Sequence, residues 1–144
     1  MRGEKLTPKE YLNQVRDLNN LINTHLASVE DLRSKMINTS KELTTDRVQG
    51  GKSYDFTDTI AKICDLETDI NCEIDKLVDL RAVIEHEIRG LDSNIQILVL
   101  VNHYILGKSL IEISDEYVYG KSYIKRVHGW ALEAFKEKYP EKFE

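Results

Sequence analysis

Lys121, Ser122, Tyr123, Lys125 and Arg126 fall within two turns of a single stretch, GKSYIKRVHGWAL. Together they hold the donors that nucleic-acid recognition uses. Lys and Arg can donate to the acceptor atoms of a guanine edge, and small hydroxyls and backbone N–H groups hold phosphate oxygens. Tyr123 adds a further donor and an aromatic face. Ile124, Val127, Ala131 and Phe135 recur at helical spacing in the same stretch, and the cations and Ser122 lie on the side opposite that apolar stripe. A lone basic residue on a helix is ordinarily just solvated. A group of three beside polar donors, at the start of a helix, favours contact with DNA.

Other chemistries find less support. His25, His86, His103 and His128 are widely spaced, and none has a second His or Cys three or four residues away, so no helical zinc site is expected. The carboxylates Asp65, Glu67, Asp69, Glu73, Asp75 and Asp79 follow an exposed helix face and suit solubility or a partner surface, not a catalytic pair. Gly50-Gly51-Lys52-Ser53 resembles the tail of a phosphate-binding loop, yet Asp46 stands where that motif wants glycine and no strand precedes it. Cys64 and Cys72 lie eight residues apart in a helical pattern, beyond disulfide reach, and are expected as reduced core or boundary residues. With no nucleophile and base in view, neither enzyme activity nor a cofactor is expected. Trp130 is expected as a partly buried packing residue.

The basic stretch needs elements to position it. Ser109-Leu110-Ile111-Glu112 is a capping box and predicts a short helix with Ile113 on its inner face and Tyr117 at its end. Val118-Tyr119-Gly120 makes a corner before the next helix. Two helices joined by so short a corner have the form of a helix-turn-helix, whose second helix enters the major groove. Upstream, Ile95 and the run Ile97 to Val101 are apolar on most sides. A buried strand would also fit that run, but helix is favoured because no strand partner follows and Gly107 offers a C-terminal stop.

The first half reads differently. Thr7-Pro8-Lys9-Glu10 caps a helix, with Leu6 and Tyr11 as its hydrophobic staple. Tyr11, Val15, Leu18, Ile22, Val29, Leu32, Met36 and Leu43 then follow steps of three and four, with His25 and Thr39 at two seam positions. A second stripe comprises Ile60, Ile63, Ile70, Ile74, Leu77, Ile84, Ile88 and Leu91, with Glu67 and Arg81 at intervening seam positions. Asp55 or Thr57 is the expected cap of that helix. Between the stripes, Thr44–Tyr54 has paired glycines and no apolar period, and reads as a mobile link. The expectation is an all-α chain: a long antiparallel, coiled-coil-like helical hairpin over residues 1–90 and a small helix-turn-helix bundle over residues 91–144. His25 is placed to set the hairpin's register.

The C-terminal residues also carry a resemblance. Glu112-Ile113-Ser114, Tyr117, Tyr119-Gly120-Lys121-Ser122, Ile124-Lys125-Arg126-Val127 and Ala131-Leu132 follow without a gap the spacing of the promoter-reading domain, region four, of bacterial sigma factors. Val118 stands where a turn glycine is usual, Gly120 where a capping Ser or Thr is usual, and Gly129 lies inside the second helix. With a coiled-coil-like first half ahead of it, the layout resembles small phage-encoded transcriptional regulators of the RinA and ArpU kind. That resemblance implies a sigma-like activator of late genes in phages or prophages, acting with bacterial RNA polymerase.

At 144 residues and a net charge of −5, the chain is too acidic to coat DNA without sequence preference, though a local basic face remains open to it. No apolar run spans a bilayer and the polar start lacks a secretion signal, so a cytoplasmic protein without membrane contact is expected. The leading reading is a sequence-specific regulator that binds double-stranded DNA as a dimer. Two rivals stand beside it: a DNA-packaging subunit of the small-terminase kind, and a coiled-coil interaction protein that binds no DNA.

Overall fold

A computed structural model of the chain describes residues 6–45 and 56–143. The described residues are all-α, with no strand among them. Helix α1 spans Pro8–Thr45, α2 Phe56–Arg89, α3 Asn94–Leu100, α4 Leu110–Glu116 and α5 Lys121–Lys138. A π-helical turn, Val101–Ile105, continues α3, and a 3-10 turn, Pro140–Lys142, follows α5. No described helix is long and apolar enough to cross a membrane. Of the link expected at Thr44–Tyr54, Thr44 and Thr45 close α1, and the rest, with Gly50 to Ser53, lies outside the described residues. Thr57 falls inside the first turn of α2, and Asp55, the other expected cap, is also outside them.

Local chemistry sets the helix starts. The Thr7 hydroxyl accepts from the Glu10 backbone N–H at 3.2 Å while the Glu10 carboxylate accepts from Thr7 N–H at 2.9 Å. Those bonds hold the Glu10 carboxyl below its ordinary range, the backbone bond from Thr7 first. Ser109 and Glu112 form the same reciprocal box at the head of α4. The apolar run at Ile95 to Val101 is helical, and Gly107 ends it with φ 75°, the left-handed conformation that favours glycine.

The chain forms two compact units, Met1–Leu18 with Leu77–Glu144, and Asn19–Lys76. In the first, Leu12, Val15, Ile84, Ile88, Leu91, Leu100, Tyr104, Ile105, Ala131 and Phe135 share one core. Its ends are tied by a polar knot around Glu87. The Tyr11 hydroxyl donates to the Glu87 carboxylate at 2.6 Å, Lys142 pairs with the same carboxylate at 2.9 Å, and the Tyr139 hydroxyl donates to the Glu87 carbonyl at 2.7 Å.

In the second unit the described parts of α1 and α2 run antiparallel. His25 Nδ1 lies 2.7 Å from a Glu73 carboxylate oxygen, and eight residues further along α1 Arg33 donates to Glu67 at 2.6 Å. Ile22, Val29, Ile63 and Ile70 are buried there, whereas Ile60 and Ile74, two positions of the same stripe, are exposed. Cys64 and Cys72 are free thiols on the exposed side, not in the core. Each lies one or two residues past a buried Ile, which turns it away from α1.

Candidate nucleic-acid interface

Helices α4 and α5 pack through Ile113 on α4 and Ile124 and Val127 on α5, all buried together with Val99 of α3. Ser114 is buried as well, and its hydroxyl donates to the Ile111 carbonyl at 2.7 Å. A small residue there lets the two helices approach, and the local bond removes the cost of an unpaired hydroxyl.

The corner is closed by backbone. Tyr117 N–H donates to the Ile113 carbonyl at 3.1 Å, and Tyr119 N–H reaches back to the Ser114 carbonyl at 2.9 Å. The second bond is the long one of a Schellman turn, which requires its central residue in the left-handed region. That residue is Val118, at φ 58°. A β-branched side chain pays roughly 1–2 kcal/mol to sit there. Val118 is 88% exposed, so no packing offsets the strain. Val118→Gly is accordingly expected to raise stability by about 1 kcal/mol, read as a higher urea midpoint. An unchanged or lower midpoint would show that the corner is held some other way.

Gly120 is the N-cap of α5, with extended backbone and no side-chain bond to the helix. The N–H groups of the first turn of α5 therefore lack a side-chain cap and carry the positive end of the helix dipole. Around them Lys121, Ser122, Lys125 and Arg126 are all exposed. No carboxylate pairs with Lys121, Lys125 or Arg126 among the described residues, whereas Lys108 is bound to Glu116 and Lys142 to Glu87. Tyr123 is placed differently. It is half-buried against Ile113, Ile124 and Val127, and its ring lies 5.5 Å from that of Tyr119. Further along the exposed side of the helix the charge is mixed, with Glu133 and Glu137 beside Lys136 and Lys138 of the last turn.

Gly129 lies on this side too, and a Cβ there would meet nothing within 4 Å, so the fold itself does not call for glycine. Trp130 is 53% exposed and not a packing residue. Its position next to Gly129 turns it out of the stripe formed by Val127, Ala131 and Phe135.

Behind α5 lies a polar cluster that sequence spacing did not reveal. The Tyr104 hydroxyl is hydrogen-bonded to His128 Nε2 at 2.7 Å, and the rings of His103 and His128 lie 5.2 Å apart. His103 Nδ1 is 2.7 Å from the Lys108 carbonyl, which only accepts, and its Nε2 is 3.2 Å from the Arg16 guanidinium, which only donates. His103 therefore carries its proton on Nδ1 and is neutral. Desolvation pushes His103 below its ordinary range against the opposing bond to the Lys108 carbonyl, takes His128 down to about 4 with the Lys9 ammonium adding to it, and raises the Tyr104 phenol to about 12. The only sequence signal for this cluster was the presence of two histidines, 25 residues apart, with no common helix face to join them.

Both histidines have folded-state values below the roughly 6.5 of an unfolded chain, so below that pH the unfolded state binds more protons. Stability is expected to be full above about pH 6.5 and to fall as pH drops toward His128's value near 4. Both rings keep partial solvent access, which limits the loss to a few degrees of melting temperature between pH 7 and pH 5. His128→Gln should flatten that slope in thermal melts, and an equal slope in the variant would remove His128 from the account.

Among the described residues no three of His, Cys, Asp or Glu converge as a metal site would need. No family model, curated protein or solved structure matches the chain.

Proposed function

We propose that the protein is a sequence-specific DNA-binding regulator of transcription, in which α4, the Val118 corner and α5 act as a helix-turn-helix and α5 enters the major groove. The observation that carries this reading is the group of exposed, carboxylate-free cations, Lys121, Lys125 and Arg126, around the uncapped first turn of α5. Lys125 and Arg126, one turn in, have the reach for base edges. Lys121, Ser122 and the first-turn N–H groups suit phosphates. Tyr123, half-buried, contributes its hydroxyl and ring edge at the rim of that surface.

The resemblance to sigma region four and to RinA and ArpU regulators supports a promoter-proximal role beside bacterial RNA polymerase, with the protein acting as a dimer. A phage late-gene activator is the specific form of that role. The chemistry is binding, with no catalytic step.

Binding of a mixed-sequence duplex of about 30 base pairs, followed from low to near-physiological salt, tests the electrostatic part. On a duplex without the cognate site Lys121, Lys125 and Arg126 all meet phosphates, and the affinity should fall with a log–log slope of roughly −2 to −3 per chain. A duplex that is not retained even at low salt would reject the reading.

A further inference from the structure

The second unit buries only four aliphatic side chains among its described residues, Ile22, Val29, Ile63 and Ile70, a small core for two helices of such length. It also leaves large apolar groups outside. Leu26, Ile37, Ile60 and Ile74 are 47%, 56%, 49% and 38% exposed. On an ideal helix Leu26, Arg33 and Ile37 lie within about 40° of one another, and so do Ile60, Glu67 and Ile74. The two stripes form one face. Leu26 and Ile74 line one groove of it together with the Arg33–Glu67 pair, and Ile37 and Ile60 line the next with Met36 and Phe56.

We propose that this face is the contact surface for a second copy of the chain, which lies across it about a two-fold axis parallel to the helices. The inference deepens the dimer part of the functional reading and stands apart from its DNA part. The occupant follows from charge and shape. Within one chain the face has an apolar pair at one end, Leu26 with Ile74, an apolar pair at the other, Ile37 with Ile60, and an ion pair between them. A two-fold axis along the helices lays α1 of one copy over α2 of the other. Leu26 then meets the other copy's Ile74, Ile37 meets Ile60, and Arg33 meets Glu67, while Glu30 faces the amide of Asn71. Each contact occurs twice, as a self-complementary interface demands.

The alternative axis, perpendicular to the helices, would set Arg33 against Arg33 and Glu67 against Glu67, and like charges opposed across an interface disfavour it. In the favoured arrangement every helix has antiparallel neighbours, as in a four-helix bundle, and the four charges alternate in sign around its middle. Both copies then present their Asn19 and Lys76 ends on the same side of the bundle.

The test is the mass of the full chain by sedimentation equilibrium from about 1 to about 100 μM, a range suited to an interface at the small end of the specific class. Wild type is expected to reach twice the chain mass of 16.7 kDa. Arg33→Glu alone and Glu67→Arg alone should each stay monomeric, with the helix content of wild type by circular dichroism. An equimolar mixture of these two variants should recover a dimer, because the carboxylate introduced at position 33 of one chain then meets the guanidinium introduced at position 67 of the other. If either charge variant loses its helix content, the double variant Leu26→Ala with Ile74→Ala decides, and should weaken the dimer about a hundredfold. A monomeric wild type, a mass above two chains, a mixture that stays monomeric, or a dimer that Leu26→Ala with Ile74→Ala leaves unchanged would each overturn the proposal.

Discussion

Replacing Lys121, Lys125 and Arg126 together by Ala is expected to lower affinity for a specific duplex by about 100- to 1,000-fold at near-physiological salt, at about 1–1.5 kcal/mol per lost contact. The fold should not notice. All three side chains are exposed and project away from the packing of Ile124, Val127, Ala131 and Phe135, so the melting temperature should move by no more than about a degree. The salt slope separates the roles. Loss of phosphate contacts should make the log–log slope shallower by about one for each such contact removed. Single variants divide the effect further: Lys121→Ala should weaken all duplexes alike, whereas Arg126→Ala should relax preference at one base position. A triple variant that binds as tightly as wild type would show that α5 does not carry recognition.

The other large effect is on stability. Phe135 is fully buried in the core of the first unit, with the ring of Tyr139 at 5.0 Å, that of Tyr11 at 5.9 Å and that of Phe143 at 6.0 Å. Phe135→Ala removes the side chain on which α5, the head of α1 and the C-terminal turn converge, and should cost about 4 kcal/mol. Small proteins hold roughly 5–15 kcal/mol in all, so the variant is expected to sit near the edge of unfolding at 37 °C. Urea melts followed by circular dichroism read the loss directly, and a cost below about 1 kcal/mol would mean that the neighbouring rings close over the gap. DNA affinity should fall with it, since α5 is held in place by this packing.

Much of the helical layout could be read from residue order. The Thr7–Glu10 and Ser109–Glu112 boxes are local, three residues apart, so their chemistry is written directly in the chain, and both form as their spacing implies. The apolar stripe of α5 was equally plain, and the corner's oddity was visible as Val118 at a position where glycine is usual. Its consequence, a positive φ, needed the backbone.

Other features depended on contacts between distant segments. Leu12 falls off the heptad stripe of α1 yet is fully buried, because near its start α1 packs on α5 and α3 residues as well as on α2. Ile60 and Ile74 sit on the stripe of α2 and are exposed, because a single facing helix covers only part of so wide an apolar face. Trp130 reads as a packing residue by type and lies outside by phase. The His103–Tyr104–His128 cluster joins the turn after α3 to α5, and no period within one helix could have announced it. Glu87, one of many acidic residues on α2, turns out to tie Tyr11, Tyr139 and Lys142 together.

The central claim is that this chain reads DNA sequence through the start of α5, and the most direct measurement is selection of bound duplexes from a random pool at near-physiological salt. Wild type and the Lys121, Lys125 and Arg126 to Ala variant would be run in parallel. The account predicts that wild type enriches a defined motif and the variant enriches none. Enrichment of the same motif by both proteins, or by neither, would contradict it.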